Sequence, residues 1–262
     1  MSAAPEPGAD TAGVRAEVSG PVASVTLCRP ATRNAQTPAT WRALAEVGRT
    51  LPDDVRVAVL RAEGPSFSAG LDRRLLAGGD VDGEPGLAGL AALDDTALDA
   101  AVAGFQEAFT WWSRHEIVSV AAVGGHAVGA GFQLALACDL RVLADDARLA
   151  MRETSLGLVP DLGGTAPLVE TVGYARALEI CVTGRWVEAA EARDLGLATV
   201  VVPRAELEAA TGDLVAALLA APAGAVTETK ALLAGARDRD AGAQRAAERA
   251  AQARRLRDLL GG

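Results

Sequence analysis

Aromatic residues are scarce in this chain: Phe, Trp and Tyr together make up 3% of its 262 residues, although 50% of all residues are hydrophobic. A hydrophobic core must therefore be built mainly from Ala, Val and Leu. The length allows one large domain, or a domain with an appendage, and provides ample material for a core.

Positive charge is also in short supply, because 25 Lys and Arg residues stand against 34 Asp and Glu residues and leave a net charge of −9. Such a chain is not expected to bind nucleic acid or an anionic membrane surface. A small phosphorylated ligand remains compatible with this charge, since it needs only a local basic patch.

Long apolar runs and paired cysteines are lacking as well. No apolar run reaches the roughly 18–20 residues that span a bilayer. Residues 1–13 are rich in Ala, Pro, Gly and Asp and have no signal-peptide pattern, which predicts a disordered leader. Cys28, Cys138 and Cys181 are odd in number and show no CxxC spacing, which indicates reduced, buried thiols and a cytoplasmic protein.

Several well-known site motifs are missing. Gly129-Ala130-Gly131 lacks the third glycine of a dinucleotide-binding fingerprint, because Leu134 stands there. The chain has neither a GxxxxGK[ST] phosphate loop nor the GxSxG turn of many esterases. His115 and His126 have no matching cluster of Cys or Asp, so no metal site is expected, and we interpret His126 as a structural residue at a strand end.

The hydrophobic periodicity predicts an α/β protein with a helical C-terminal part. Strands are expected at 22–27, 55–60, 118–123, 140–143, 149–151 and 200–202. Helices are expected at 38–50, 94–114, 174–183, 188–196, 206–219, 226–236 and 241–260, and a loop at 78–89. This pattern divides the chain into a leader (residues 1–13), an α/β core (14–203) and a helical region (204–262).

Two glycine-bearing turns are the most informative local feature. The turns span 66–72 and 126–133, and each follows an apolar, strand-like run and opens onto a helical pattern. The start of a helix leaves N–H groups unpaired and carries positive dipole charge. Two such donors aimed at one oxygen atom form an oxyanion hole. One glycine turn alone is more often structural, so the significance lies in the pair.

A third segment, residues 152–165, adds two acids. Asp161 stands in an apolar run between Pro160 and Gly163-Gly164. A carboxylate among Leu and Val side chains loses solvation, so its pKa is expected to rise, which suits a general base. The alternatives are that Asp161 caps the helix beginning near Gly163, and that Glu153 is a surface residue at a strand end.

Together these segments resemble the enoyl-CoA hydratase/isomerase (crotonase) family, from about Val14 to Pro203 and more loosely beyond. The resemblance is carried by four ordered motifs: Leu27-Cys28-Arg29-Pro30 with Arg33-Asn34-Ala35, Phe67-Ser68-Ala69-Gly70-Leu71-Asp72, the segment Gly129 to Asp139, and the segment Leu156 to Thr165.

The resemblance implies repeated ββα units wound into two roughly perpendicular sheets, with a helical C-terminal region used for trimer contacts. It implies an acyl-CoA thioester as substrate, no separate cofactor, and a homotrimer or hexamer. The thioester oxygen would lie between the N–H groups of Leu71 and Ala130. CoA would be bound by Ala69 and Leu71 and by three arginines: Arg29, Arg33 and Arg73. The acyl pocket is expected along residues 75–93 and 105–112 and at Phe132.

The family's hydratases use two glutamates, and this chain departs from that pattern. Glu153 matches the second glutamate, but Gln133 stands at the first, and an amide neither gives nor takes a proton at neutral pH. Asp161 matches the base of related isomerases. The resemblance therefore favours an acyl-CoA double-bond isomerase in which Asp161 and Glu153 transfer the proton and Gln133 orients substrate or water.

Two alternatives remain open at this point. The first is a weak enoyl-CoA hydratase that relies on Glu153 alone. The second is a non-catalytic protein that binds acyl-CoA as a sensor or carrier.

Overall fold

The computed structural model describes residues 12–78, 80–81 and 83–261. The predicted leader, residues 1–13, lies outside this part of the chain except for its last two residues.

The strands are β1 (Val14–Ser19), β2 (Val22–Leu27), β3 (Val57–Ala62), β4 (Val118–Val123), β5 (His126–Val128), β6 (Leu140–Ala144), β7 (Arg148–Ala150), β8 (Val187–Glu188) and β9 (Val200–Val202). The helices are α1 (Pro38–Thr50), α2 (Arg73–Leu76), α3 (Leu87–Ala91), α4 (Asp95–Thr110), α5 (Ala130–Ala137), α6 (Thr165–Val172), α7 (Tyr174–Thr183), α8 (Ala189–Asp194), α9 (Leu207–Ala220), α10 (Ala223–Gly235) and α11 (Ala241–Leu260).

The larger sheet has the strand order β1-β2-β3-β4-β6-β9. β1 and β2 are antiparallel, whereas every other neighbouring pair is parallel. Parallel strands need crossover connections, and α1 supplies the one between β2 and β3. The segments that follow β3 and β4 therefore emerge at the same edge of this sheet, which brings the two glycine turns together.

The smaller sheet has the order β5-β7-β8. β5 pairs in parallel with β7, so that Val128 lies opposite Ala150, and β7 pairs in antiparallel fashion with β8. Because β5 and β7 end at the same level, the turn that carries Ala130 and the turn that carries Glu153 leave the sheet side by side.

The core lies on both faces of the larger sheet. Alternate residues of β3 point to opposite faces: Val57 and Val59 pack with Leu207 of α9, whereas Ala58 and Leu60 belong to the cluster under α1 and α4. Strands that are buried on both faces have almost continuous apolar sequences, as β3 and β4 do. Aromatic residues are few but concentrated, since the Trp41 ring of α1 lies 4.9 Å from the Phe105 ring of α4.

The C-terminal helices fold back on this core. α9 covers one sheet face, and α10 is fixed by the Lys230 ammonium, which donates to Asp139 Oδ2 and to the Ile117 carbonyl, both at 2.6 Å. No single helix among the described residues is long and apolar enough to cross a membrane, although the segment Arg204–Ala220 and α10, bent by 102°, would reach that length together. The predicted boundary at 203/204 stays a prediction.

Most predicted elements are confirmed. The bounds of β2, β4, β9, α1, α7 and α11 agree with the expectation. The predicted helix 94–114 ends as an α-helix at Thr110 and continues as the 3-10 turn Trp111–Ser113, and the predicted loop 78–89 contains the start of α3. β1, β5 and β8 were not predicted. The cysteines are free thiols, but only Cys138 is fully buried.

Candidate active site

The two glycine turns are joined by backbone hydrogen bonds. Ser68 N–H donates to the His126 carbonyl at 2.9 Å, and Val128 N–H donates to the Ser68 carbonyl at 3.0 Å. On its other side the first turn pairs with Gln36, which donates to the Gly70 carbonyl at 2.7 Å. The first turn is thus held between the start of α1 and β5.

This pairing leaves two main-chain donors without a protein acceptor. Gln36 bonds to Gly70 and Asp72 in a parallel bridge, so the N–H of Leu71, between them, points the opposite way. Ala130 is the first residue of α5, where an N–H has no acceptor within the helix. Within the described ranges no group accepts a hydrogen bond from either N–H.

Glycine is required where these turns meet. Gly70 has a φ of +82°, and a Cβ there would lie 2.4 Å from the Val128 carbonyl oxygen and 3.6 Å from Ala130 N. Gly129 has a φ of +51°, and a Cβ there would lie 3.1 Å from Glu153 Oε1. The absence of side chains therefore lets the Leu71 turn, the Ala130 amide and the Glu153 carboxyl approach one another.

These groups border one cavity of about 470 Å³. Its charged and hydroxyl-bearing wall residues are Arg73, Arg152, Glu153, Ser155 and Asp161. The rest of the wall is largely aliphatic and aromatic, and includes Pro38, Trp41, Leu75, Leu76, Leu87, Leu90, Val102, Phe105, Leu156, Leu158, Val159 and Leu162, together with the backbone of residues 69–71 and 128–130. The cavity therefore suits an apolar group with its reactive atoms near the carboxyls.

Glu153 is the more constrained of the two acids. It follows β7 and begins the 3-10 helix Glu153–Leu156. Its Oε1 accepts a hydrogen bond of 2.7 Å from the Gln133 amide nitrogen, whereas its Oε2 is buried and has no hydrogen-bond partner among the described residues. Burial raises the pKa of Glu153, and the nearby charge of Asp161 adds to this rise.

Asp161 lies on the same cavity wall. The residue as a whole is exposed to solvent. Its carboxyl is nevertheless desolvated against the cavity wall, and this raises its pKa, as expected. The capping alternative is wrong, because Gly164 precedes α6 and no side chain caps that helix. Gln106 of α4 fixes the loop by donating to the Asp161 carbonyl at 2.7 Å.

Gln133 lies behind Glu153 and outside the cavity wall. It is 1% exposed, and its amide oxygen accepts hydrogen bonds from Leu162 N–H at 3.0 Å and Gly164 N–H at 3.3 Å. Its amide nitrogen donates to Glu153. A direct contact with substrate or water in the cavity, as the sequence suggested, is therefore not what this placement favours.

Only some of the residues predicted to bind CoA line the cavity. Ala69, Leu71 and Arg73 line the cavity, but Arg29 and Arg33 are not part of its wall. Arg29 is turned inward, with Nη1 donating to the Ala35 carbonyl at 3.3 Å and Nη2 lying 3.8 Å from Asp72 Oδ2. Arg33 is exposed and holds the first turn through its carbonyl, which accepts from Ala69 N–H at 2.8 Å.

The predicted acyl pocket is only partly correct. Several residues between 75 and 93, and Phe105, line the cavity. Phe132 and Trp112 do not, because both are fully buried in the core. Trp41 and Arg152 were missed as wall residues. Trp41 carries no local signal, whereas Arg152 is adjacent to Glu153 in the sequence.

The chain is similar to known proteins over most of its length. The sequence profile of the enoyl-CoA hydratase/isomerase family matches residues 17–257. A probable enoyl-CoA hydratase of Mycobacterium bovis is 32% identical over 191 residues, which cover 71% of this chain and 67% of the relative. A carnitinyl-CoA dehydratase of Salmonella paratyphi A is 38% identical over 196 residues, covering 72% of this chain and 67% of the relative.

Solved structures are similar over almost the whole chain. A candidate enoyl-CoA hydratase of Thermobifida fusca in complex with CoA is 51% identical, covers 96% of this chain and 95% of its own, and has a TM-score of 0.91. The same protein in complex with acetoacetyl-CoA is 53% identical, covers 94% of this chain and 96% of its own, and has a TM-score of 0.91. These matches confirm the expected fold, and the chain belongs to the enoyl-CoA hydratase/isomerase (crotonase) family.

Proposed function

We propose that this chain is an acyl-CoA double-bond isomerase, which converts a 3-enoyl-CoA, or a related dienoyl-CoA, into the isomer conjugated with the thioester. One observation carries this proposal. Glu153 and Asp161 line a single cavity beside two unpaired main-chain N–H groups, while Gln133 replaces the first of the two glutamates that the family's hydratases use.

The substrate's thioester oxygen is placed between the N–H groups of Leu71 and Ala130. Neither N–H group has a protein acceptor in the described part of the chain. A ligand oxygen therefore does not have to displace a protein carbonyl to accept these hydrogen bonds. Solved structures of a relative in complex with CoA and with acetoacetyl-CoA support a CoA thioester as ligand. Arg73 on the cavity wall supplies a cation for a CoA phosphate.

The chemistry is a proton transfer across three carbons. An ionised carboxylate of the pair removes a proton from C2, and the electron pair moves onto the thioester oxygen, where the two N–H groups stabilise it. A proton that comes from solvent is then delivered to C4 from the other carboxyl of the pair, and the former C3–C4 double bond shifts to C2–C3. Raised pKa values suit both steps, because each acid then exchanges its proton nearer neutral pH.

The proposal is tested with purified protein, a 3-enoyl-CoA and a 2-enoyl-CoA, by following the ultraviolet absorbance of the conjugated thioester. We expect absorbance to rise with the 3-enoyl ester. Glu153→Gln and Asp161→Asn are each expected to lower kcat by about 10²–10⁴-fold, since they remove proton transfer and keep the side-chain shape. Glu188→Gln, an exposed change outside the cavity wall, is the control and should leave kcat unchanged.

A single-acid hydratase is the second candidate. The names of relatives favour it, and Glu153 on the cavity wall is the one acid that it would use. This candidate predicts rapid loss of 2-enoyl-CoA absorbance and no shift of the 3-enoyl ester. That pair of results would overturn the isomerase proposal.

A non-catalytic acyl-CoA binder gives a third pattern. It predicts that the wild-type protein and both carboxamide variants bind acyl-CoA equally and that none exchanges substrate protons with solvent. Deuterium uptake from heavy water that depends on Asp161 excludes it.

A further inference from the structure

The side chain of Gln133 joins three parts of the site. Its amide oxygen contacts the backbone N–H groups of Leu162 and Gly164, directly after Asp161, and its amide nitrogen contacts Glu153. It is 1% exposed, so water does not compete for these contacts. The two acid-bearing segments, which are separate in the chain, are therefore linked through one amide.

The orientation of this amide is determined by its partners. A backbone N–H can only donate, so Leu162 and Gly164 both require an acceptor, and the amide oxygen must face them. The NH₂ group is then forced toward Glu153, and a flipped amide would place donors against donors. Gln133 thus acts on Glu153 only as a donor.

The contact also selects between the two oxygens of Glu153. Oε1 accepts the Gln133 hydrogen bond, whereas Oε2 is buried and has no partner in the described ranges. Both oxygens lie close to Gly129, since a Cβ on that residue would be 3.1 Å from Oε1 and 3.6 Å from Oε2. Because Oε1 accepts the Gln133 hydrogen bond, Oε2 is the oxygen that carries the proton when Glu153 is neutral.

We infer that Gln133 is a positioning residue that fixes the Asp161 loop through its oxygen and, through its nitrogen, holds Glu153 by Oε1 so that Oε2 carries the proton. This inference deepens the proposed function and rests on it for the role of Glu153 in turnover. A donor to the carboxylate also stabilises its ionised form, which opposes the effect of burial on this acid.

Two substitutions separate the two contacts. Gln133→Glu keeps an acceptor for Leu162 and Gly164 but replaces the donor by a carboxylate oxygen facing Glu153. Two carboxylates in such contact cannot both ionise, so the pair should share a proton and Glu153 should lose its proton at higher pH. Gln133→Met adds no charge and removes both contacts. Gln252→Glu, an exposed change on α11, is the matched control for charge.

The first measurement is the titration of Glu153 in the substrate-free protein, by infrared difference against Glu153→Gln. We expect Gln133→Glu to move the Glu153 titration upward by about one pH unit or more. We expect Gln133→Met to move it upward by less, and Gln252→Glu to leave it in place. An unchanged titration in Gln133→Glu contradicts the inference.

The second measurement is the pH dependence of isomerisation. Its acid limb should move with the Glu153 titration in each variant, and KM for the acyl-CoA should change little in Gln133→Glu. If the titration shifts but the wild-type protein does not isomerise, the proposed function fails and the positioning role stands. If isomerisation occurs but neither the titration nor the acid limb moves, the positioning role fails alone.

A third measurement needs no variant at Gln133. In nitrogen-15 NMR spectra of the wild-type protein, the side-chain NH₂ of Gln133 should shift with the ionisation of Glu153, and this shift should vanish in Glu153→Gln. If the Gln133 NH₂ signal does not shift when Glu153 ionises, the inference is overturned, even if both Gln133 variants fail to fold.

Discussion

Among single residues, Gly70 has the most demanding position in the site. Its φ is +82°, and a Cβ would lie 2.4 Å from the Val128 carbonyl oxygen. Because this oxygen belongs to the backbone, relieving the clash would require the second turn to shift. The conformation of Gly70 aims the Leu71 N–H, and its lack of a side chain admits the second turn. Gly70 therefore supports both sides of the proposed oxyanion hole.

We predict that Gly70→Ala lowers kcat at least tenfold and destabilises the fold by about 2 kcal/mol, through steric conflict and strain. Gly78 is the matched control, because its φ is +83° but a Cβ there meets nothing within 4 Å. Gly78→Ala should cost about 1 kcal/mol, the effect of the backbone conformation alone. Chemical denaturation of both variants measures the difference; equal losses would mean that the contact with Val128 is unimportant.

The charge of Glu153 should lower stability at neutral pH. Its folded pKa lies above the unfolded value, so the folded state binds more protons between the two values and the free energy of unfolding falls as pH rises through the folded pKa. Glu153→Gln removes this penalty and keeps an acceptor for Gln133. We predict a higher Tm than wild type at pH 7 and no such gain below the unfolded pKa.

Thermal melts across pH test this stability prediction. Glu188→Gln is the control of opposite sign. The hydrogen bond from Arg148 lowers the pKa of Glu188, so removing the Glu188 charge should not raise Tm. A Glu153→Gln gain that persists at low pH would show that the effect is packing and not charge.

At the scale of whole elements, an ion pair fixes α10 to the core. The Lys230 ammonium contacts Asp139 Oδ2 at 2.6 Å, and the same oxygen accepts from Ser119 N–H at 2.8 Å. Both charged side chains are largely buried, at 13% and 25% exposure. The contact links α10 to the segment between α5 and β6, directly after the helix that begins at Ala130.

We predict that Lys230→Met destabilises the protein by about 3 kcal/mol, because the Asp139 charge then remains buried without its partner. Lys230→Met combined with Asp139→Asn should recover part of this loss. Arg245→Met, an exposed change on α11, should stay within about 0.5 kcal/mol of wild type. Equal stability of the Lys230 and Arg245 variants would contradict the anchoring role.

The elements also show what sequence can and cannot predict. α1 was placed correctly from its helical spacing and from Pro38 in its first turn, and the structure adds Thr37 as its cap. These signals are local. β5 and β8 were missed because they have only three and two residues and are strands through their pairing, whereas β1 was missed although its apolar and polar residues alternate.

The site shows the same division. The two turns and both acids were recognised from local patterns. The place of Gln133 behind Glu153, and the exposure of Asp161, depend on how α5 packs against the loop before α6, which no short segment encodes.

At the scale of the whole molecule, an exposed apolar stripe runs along α7. Tyr174, Leu178 and Val182 are spaced by four residues, so they share one helix face, and they are 71%, 47% and 62% exposed. The homotrimer or hexamer implied by family resemblance stays a prediction, and so does the use of the C-terminal helical region for its contacts; we expect this stripe of α7 to be a second contact surface. Sedimentation velocity should give a multiple of three chains, and Leu178→Glu should lower that mass; a monomeric wild type would contradict the expectation.

The most direct test of the account is one incubation of a 3-enoyl-CoA with the protein in heavy water, followed by proton NMR. The account predicts a 2-enoyl-CoA product that carries deuterium at C4, formed at a rate that falls when either Glu153 or Asp161 is changed to its carboxamide. A 3-hydroxyacyl-CoA formed from added 2-enoyl-CoA, with the 3-enoyl ester left unchanged and free of deuterium, would contradict it.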